Sequence, residues 1–382
     1  MEKMSEYKIC QRCVMDTTDP QISFNSKGEC NHCTDYLSVL QNQNNHQDNS
    51  NDELESIQNK IRKDTTSKYN CLIGVSGGVD STYLAYLAKE KFGLRPLALH
   101  LDNGWNSKLA VKNISKVIRK LKIDLHTHVI NWNEFKELQL AYLRASVLDI
   151  EVPTDHAIRA AMYHTAKENG IKYILRGYNR HTEGIIPKAW TFYKLDLSNL
   201  LDIQRKHGHG ALNTYPMMGT KDMKKIEREN GVTTIAPLNY LNFEEENVKA
   251  IISEKVGWLA YGGKHHESVF TRFYQGYILP RKFGIDKRRA HFSNAICQGL
   301  MTRAEAIEQL EEPTYDLETQ KLDREYVIKK FELTEEEFEA ILNQPPRSHF
   351  DYKTELKSKI RKKYIDPRNP LVRFVKRKAN FK

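Results

Sequence analysis

Val75-Ser76-Gly77-Gly78-Val79-Asp80-Ser81 decides how this chain folds. An apolar run over 71–75 leads into it. A helical pattern leaves it, with Leu84, Leu87 and Ala88 at i, i+3 and i+4 and Gly93 placed to stop the helix. The order is strand, glycine-rich turn, helix. Two adjacent glycines let the backbone turn tightly and approach a ligand closely. The following helix offers N–H groups without intrahelical acceptors and the positive end of its dipole. Ser76 and Ser81 add hydroxyls, and Asp80 can orient a Mg²⁺ ion or a bound water. The stretch reads as a cradle for an anion the size of pyrophosphate. It is not the G-x-x-x-x-G-K-[ST] loop of other nucleotidases, because no Lys closes it. A plain glycine-rich turn accounts for the two glycines but not for S-G-G-x-D-S between a strand and a helix.

The motif resembles the PP-loop of the ATP pyrophosphatases. The resemblance implies cleavage of ATP to AMP and pyrophosphate, with a substrate oxygen activated as an adenylate. Around the loop the pattern alternates: strands at 97–101, 125–130 and 172–175, helices at 107–121, 133–148 and 155–169, the last with Thr154 as cap and Gly170 as stop. This predicts an α/β fold, a parallel sheet with helices on both faces, of the adenine nucleotide alpha-hydrolase-like kind. Ligands bind such sheets at the carboxyl ends of the strands. Three loops fall there: the PP-loop, 102–105, and 176–184. The expected nucleotide site is Val75, Ser76, Gly77, Gly78, Asp80, Ser81, His100, Asp102, Gly177, Asn179, Thr182 and Glu183, holding ATP with Mg²⁺. For Asp102 a turn role before Asn-Gly is an equal reading. The roles of Asn179, Thr182 and Glu183 rest on the resemblance, not on spacing.

Toward the N-terminus, Cys10-x₂-Cys13 and Cys30-x₂-Cys33 are separated by sixteen residues, the spacing of a four-cysteine zinc site. Four thiolates close the coordination shell, so Cys10, Cys13, Cys30 and Cys33 are expected to hold a structural Zn²⁺ that supplies the folding energy of residues 1–37. His32, inside the second knuckle, is expected to be exposed. The Gln/Asn-rich stretch 38–52 reads as a flexible linker, and 53–65 as a short lead-in helix completing a 38–66 connection.

The 382 residues exceed one typical domain, and 40% apolar content suffices for a core. No apolar run reaches 18 residues and no signal-like segment opens the chain, so a cytoplasmic location is expected. The net charge of +10 is concentrated in residues 351–382, twelve Lys/Arg against three Asp/Glu, leaving the body near neutral. That distribution argues against a nucleic-acid partner. The basic tail suits a solvated segment, an anionic membrane surface or a docking partner.

A second dense cluster lies at 257–292. It contains Gly263-Lys264-His265-His266-Glu267-Ser268, Phe273-Tyr274-Gln275-Gly276-Tyr277 and Lys282-Phe283-Gly284-Ile285-Asp286-Lys287-Arg288. Aromatic, cationic and imidazole groups together suit a sugar or nucleotide carrying phosphate. Lys264, His265, His266 and Glu267, with Asp80, form the candidate catalytic set, one of the last three receiving a proton; satisfied structural histidines would give the same letters. The stretch about 185–240 reads as an insertion or lid in a 67–300 catalytic domain, and equally as a surface loop. A helical region follows at 301–350, with capping boxes at Thr302/Glu305 and Thr334/Glu337.

Taken together, the cysteine knuckles, the PP-loop, T-E-G at 182–184, G-K-H-H-E-S, F-x-Q-G-Y and K-F-G-I-D-K-R resemble the WbpG- and PseA-like N-acetyl sugar amidotransferases over roughly residues 1–310. The family makes surface polysaccharide, lipopolysaccharide O-antigen and pseudaminic-acid flagellin glycans. The resemblance implies conversion of the acetamido group of a nucleotide-linked N-acetyl sugar to an acetamidino group, ammonia displacing AMP. It also implies a separate HisH-like glutaminase and a HisF-like ammonia-channelling partner, since Cys71 reads as buried and Cys297 as helical. A tRNA-thiolating PP-loop enzyme and a non-catalytic zinc and nucleotide adaptor are the alternatives. The sequence is silent on oligomeric state.

Overall fold

The computed structural model describes residues 7–44, 47–64, 67–261 and 266–357. Helices α1 (Asn31–Asn44) and α2 (Gln47–Lys63) precede β1 (Cys71–Gly74) and α3 (Val79–Tyr86), which runs on as a π-helical turn, Leu87–Lys91. There follow β2 (Pro96–Asp102), α4 (Lys108–Leu121), β3 (Asp124–Val129), α5 (Trp132–Arg144), α6 (Val152–Glu168) and β4 (Tyr173–Leu175). Next come α7 (Arg180–Glu183), α8 (Leu197–His207), α9 (Thr220–Asn230), β5 (Thr233–Ile235) and α10 (Glu245–Val256). The chain continues through α11 (Val269–Phe273), a second π-helical turn (Tyr274–Ile278), α12 (Leu279–Phe283), α13 (Arg288–Cys297), α14 (Arg303–Glu311), α15 (Leu317–Phe331) and α16 (Glu335–Asn343).

All pairings in the five-stranded sheet are parallel, in the order β3-β2-β1-β4-β5. Ile73 of β1 pairs with Ala98 of β2 and with Leu175 of β4. β1 is thus central, and the chain reverses its direction of winding there. The crevice between β1 and β4, outside their carboxyl ends, is where such a sheet binds ligands. The PP-loop leaves β1 at this point.

The elements form for local reasons. β1 is buried on both faces, as a central parallel strand should be. On α4, Ala110, Ile114, Val117 and Leu121 form a buried stripe, and Ser107 caps the helix by accepting from the Ala110 N–H at 3.1 Å. Both anticipated capping boxes are present, at Thr302/Glu305 and Thr334/Glu337. No helix among the described residues is long and apolar enough to cross a membrane.

Several expectations are corrected. The stretch read as a flexible linker is helical where described, in α1 and α2; Gln and Asn carry no apolar period, so the pattern had no signal to give. α2 also buries Leu54 and Ile61 in the core. Helix α6 starts three residues earlier than expected, with Glu151 rather than Thr154 at the N-cap and Pro153 in its first turn. Helical cover does not extend over β3, an edge strand with Leu125 and Val129 exposed. The supposed insertion at 185–240 contributes a sheet strand, β5, too short and too exposed for alternation to reveal. Trp105 is core rather than ligand loop: it is 1% exposed, packs on Phe270 and Phe331 with ring centroids 5.1 and 5.3 Å away, and donates from Nε1 to Gln139 at 2.7 Å. Residues 351–357 of the supposed tail dock: Tyr352 Oη donates to the Ala145 carbonyl at 3.0 Å and the Lys353 N–H to Asp202 at 3.0 Å. Residues 358–382 lie outside the described residues, and with them the rest of the tail expectation.

Helix α11 is locked from outside by Arg272, whose guanidinium meets Asp323 of α15 through two bonds of 2.8 and 2.7 Å. Beside it, Gly276 lies so close to Tyr315 that an added Cβ would stand 2.5 Å from the ring. Gly276→Ala should therefore cost about 1–3 kcal/mol through overpacking, read as a fall in thermal midpoint. An unchanged midpoint would show that Tyr315 does not sit against this turn.

Candidate functional site

The PP-loop is held in shape from three sides. Within it, Ser81 Oγ accepts from the Ser76 N–H at 3.2 Å and donates to the Gly78 carbonyl at 3.2 Å, while Ser76 Oγ accepts from the Gly78 N–H at 3.3 Å. From behind, Gly77 adopts φ +82°, and a Cβ there would lie 2.6 Å from the Ala110 carbonyl oxygen, so only glycine fits. From the side, the Gly77 carbonyl accepts from Trp258 Nε1 at 2.8 Å and from the Tyr261 hydroxyl. Those two aromatics are positioned by Asn113, buried on α4, which exchanges bonds of 2.8 and 2.9 Å with the backbone of Leu259. The net effect is to turn a carbonyl away and leave the first-turn N–H groups of α3, at Val79, Asp80 and Ser81, without helical acceptors.

The loop opens into a cavity of about 920 Å³. Val75, Ser76, Gly78, Asp80, Ser81, His100, Gly177, Glu183 and Glu267 line it, as anticipated. Gly177 sits against α3: a Cβ there would be 3.4 Å from the Asp80 carbonyl carbon and the Ser81 nitrogen. His100 has both ring nitrogens engaged. The Val75 carbonyl, 3.0 Å away, can only accept, so Nδ1 carries the proton and Nε2 accepts from Asn106 Nδ2 at 3.2 Å. That makes His100 a brace between β1 and β2.

Other anticipated residues stand elsewhere. Asp102 takes its turn role: Oδ1 accepts from the Gly104 N–H at 2.9 Å and Asn106 Nδ2 at 3.1 Å, outside the cavity wall. Asn179 is fully buried and caps α7 through the His181 N–H at 2.9 Å, and neither it nor Thr182 lines the cavity. His266 faces the Tyr315 ring, 6.1 Å between centroids, rather than the cavity. Lys264 and His265 lie outside the described residues.

Glu267 is the group that joins the two dense clusters of the sequence. Its backbone carbonyl accepts from the Ser107 N–H at 2.8 Å, and the Val269 N–H donates to Trp105 at 2.9 Å. This places its carboxylate 3.4 Å from where a Gly78 Cβ would be. Two further walls were not legible. On α6 and the preceding turn stand Asp149, Glu151, Asp155 and Arg159; on the 190–195 segment stands Lys194. Lys194 Nζ meets Asp149 at 2.7 Å and Asp155 at 2.9 Å. Burial raises the Asp149 carboxyl, but the Lys194 ammonium beside it outweighs this and holds it below the usual range. Glu151 accepts from Thr271 Oγ1 at 2.7 Å and Gln275 Nε2 at 3.2 Å. Arg176, at the end of β4, has its pKa lowered by burial and by Arg159 nearby. Single acidic and basic residues inside a helix pattern give no signal of the pocket they face.

The four cysteines also converge. All are buried, and their sulfurs lie within 4.8 Å of one another, with neighbouring pairs at 3.6 and 3.7 Å. Four sulfurs about 2.3 Å from a central Zn²⁺ at tetrahedral corners would stand about 3.8 Å apart, so the donor set fits zinc. The Cys30 N–H donates to Cys10 Sγ at 3.1 Å, the kind of bond that stabilises a thiolate. His32 is not exposed: its ring meets the buried carboxylate of Asp19 at 2.6 Å. This segment docks on the C-terminal helices, Arg303 donating to the Cys10 and Cys13 carbonyls at 3.0 and 3.2 Å and Arg289 pairing with Asp16 at 2.9 Å. It also backs the cavity loop, since Tyr36 packs on Gly184 and contacts the His181 carbonyl at 3.5 Å. No comparable carboxylate or histidine cage exists among the described residues. Asp80, Glu183 and Glu267 instead offer separate carboxylates, which suits Mg²⁺ held partly by substrate phosphates.

Comparison with known proteins matches these two halves separately. Residues 50–154 match the NAD synthase family model, and residues 267–364 match that of the LPS biosynthesis protein WbpG-like C-terminal domain. An uncharacterized protein of Methanocaldococcus jannaschii is 30% identical over 173 residues, 44% of this chain; the chain spans 58% of that relative's length. Among solved structures, an NH3-dependent NAD synthetase from Campylobacter jejuni is 13% identical, covering 79% of this chain and 98% of its own at a TM-score of 0.30. An NMN synthetase from Francisella tularensis is 19% identical, covering 57% and 98% at 0.29. A predicted subunit of a tRNA methyltransferase from M. jannaschii is 14% identical, covering 48% and 74% at 0.29.

Metal analysis of the purified protein should find one zinc per chain. Cys30→Ser should lose it and lower the thermal midpoint, because a bound ion would supply folding energy to this segment. Full stability after exhaustive chelation would rule out the structural ion.

Proposed function

We propose that this chain, which belongs to the WbpG-like PP-loop amidotransferase family, converts the acetamido group of a bacterial surface-glycan sugar to an acetamidino group at the expense of ATP. The observation that carries the reading is the position of Glu267: a carboxylate from the WbpG-like segment stands at the glycine turn of the PP-loop. Nucleotide and sugar chemistry thus share one cavity.

The residues divide the work. The first-turn N–H groups of α3 with the Ser76 and Ser81 hydroxyls bind the β- and γ-phosphates, which leave as pyrophosphate. Asp80 and Glu183 would hold Mg²⁺, which would neutralise phosphate charge. The apolar floor of Leu99, Met162 and Ile174 takes the adenine, and Arg159 and Arg176 stand beside the crevice for the remaining phosphate charge. The sugar amide oxygen attacks the α-phosphorus, the bond to pyrophosphate breaks, and an O-adenylated amide forms. Ammonia then adds to the amide carbon, a proton passes from its nitrogen to the Glu267 carboxylate, and AMP departs with the former amide oxygen. Most of the acceleration comes from alignment and from donors fixed before charge develops. On this reading ammonia comes from a separate glutaminase; the full burial of Cys71 in β1, with its thiol pKa raised by that burial, supports it by removing one candidate nucleophile.

The test supplies ATP, Mg²⁺, an ammonium salt and a panel of UDP- or CMP-linked N-acetyl sugars. AMP should form only with the right sugar, whose mass falls by about one dalton as oxygen is exchanged for an imino group. Glu267→Gln should slow that reaction by about 10²- to 10⁴-fold, with ATP binding retained. AMP formed only when tRNA and a sulfur donor are present would replace the proposal with tRNA thiolation.

A further inference from the structure

The cysteine cluster has one thiol to spare. A tetrahedral Zn²⁺ takes four sulfurs, and Cys10, Cys13, Cys30 and Cys33 supply them. Cys297, the last residue of α13, packs against the same cluster, and its thiol interacts with Cys33 Sγ. Ser293, one helical turn earlier on the same face, accepts from the Val14 N–H at 3.2 Å and holds that face on the cysteine segment. The four ligand residues are fully buried and Cys297 is half-buried, so of these five thiols it is the one that meets solvent. The Arg12 guanidinium, paired with Glu29, lies close enough to act on both Cys33 and Cys297. A cation beside two sulfurs favours the anionic sulfur that attack on an oxidant requires.

The same helix holds the cavity loop. Asn294 Oδ1 accepts from the Ile185 N–H at 3.0 Å, and its Nδ2 donates to the Thr182 carbonyl at 3.4 Å. Gln298 Nε2 donates to the His181 carbonyl at 2.6 Å. These backbone groups bracket Glu183, which lines the cavity. Gln298 follows Cys297 directly in the chain. A covalent change at Cys297 therefore acts on the end of α13 that grips the loop, and loss of the ion acts on the face that Ser293 grips.

We propose that Cys33 and Cys297 form a redox modification site: a peroxide joins them in a disulfide, the cluster loses its Zn²⁺, and the Glu183 loop loses support. The Cys33 thiolate attacks the peroxide; an S–O bond forms, the O–O bond breaks and hydroxide leaves. The Cys297 sulfur then attacks the sulfenic sulfur of Cys33. The S–S bond forms, the S–O bond breaks, and the departing hydroxide takes the Cys297 proton as water. The two sulfurs lose two electrons and the peroxide gains them. Three thiolates then remain where a closed shell needs four, and binding weakens accordingly. A thiol reductant reverses the step by exchange, after which four thiolates can close on zinc again. The proposal does not depend on which reaction the cavity performs.

The full-length protein, reconstituted with Zn²⁺, would be treated with hydrogen peroxide. Released zinc would be read with a chromogenic chelator, and cross-links by mass spectrometry of unreduced peptides. Wild type should release its zinc, yield a Cys33–Cys297 cross-linked peptide and bind a non-hydrolysable ATP analogue with Mg²⁺ more weakly; a thiol reductant with fresh Zn²⁺ should restore all three. Cys297→Ser should take up zinc and melt like wild type before oxidation. After it, the variant should lack the cross-link and lose recovery, because the Cys33 sulfenic acid is left to oxidise further. Equal zinc release and equal recovery in wild type and Cys297→Ser overturn the site. So does an oxidised wild type whose disulfide joins two of the four ligands with Cys297 free, or a protein that takes up no zinc. The wild-type peptide map decides the pairing even where the variant fails to fold. ATP-analogue binding unchanged by oxidation would overturn the link to the Glu183 loop.

Discussion

Two backbone hydrogen bonds make the site. The Ser107 N–H reaches the Glu267 carbonyl, and the Val269 N–H reaches the Trp105 carbonyl. They stitch the loop after β2 to the start of α11 and bring into contact segments 160 residues apart in sequence. Each is modest by itself, about 1 kcal/mol net. Their effect is large because both partners are otherwise immobilised. On one side Trp105 is sunk among Phe270, Trp132 and Phe331; on the other Arg272 is clamped by Asp323. A carboxylate that belongs to neither the sheet nor its covering helices is thereby fixed at the PP-loop.

The helices after residue 300 acquire a purpose from this. They bring no residue to the cavity wall, yet α15 supplies Asp323 and Phe331, and α16 adds Phe338 against Phe273, 6.1 Å between centroids. They form the abutment against which α11 is pressed. Helix α11 runs on through the π-helical turn and α12 to Phe283, and a helix of that length is marginal without tertiary packing. Orientation at the reacting centre is thus determined by packing well away from it, where tolerance for error is small.

What the sequence disclosed follows from the range of the forces involved. The PP-loop, the cysteine knuckles and the capping boxes are local devices: their residues lie within a few positions of one another and their spacing states their geometry. So β1, α3, α4 and the thiolate cluster could be read directly, and the parallel sheet followed from alternation. The face of a cavity is different. Asp149, Glu151, Arg159 and Lys194 converge only after folding, and alone each looks like a solvated charge. Asp102 and Asn179 sat where ligands bind but serve the backbone, because a short polar side chain next to a turn or a helix start finds a nearby N–H before it finds a substrate. His32 was misread for a similar reason: its partner Asp19, thirteen residues earlier, leaves no periodic trace. The helical structure before residue 53 was hidden by Gln and Asn, which favour no structure strongly enough to be seen, whereas the lead-in helix expected at 53–65 is the second half of α2.

The docking of the cysteine segment has a consequence for the order in which the molecule is made. Ser293 and Arg303, which grip Val14, Cys10 and Cys13, come about 280 to 290 residues after them in the chain. Synthesis at about 5–20 residues per second separates the two events by tens of seconds. Through that interval the segment lacks the helices that grip Val14, Cys10 and Cys13, and a Zn²⁺ ion bound by the four cysteines would be what keeps its thiols together. Metal loading would then be an early, independent step, and docking on Ser293 and Arg303 a late one. The loop resting on Tyr36 receives its final support only when the last helices arrive.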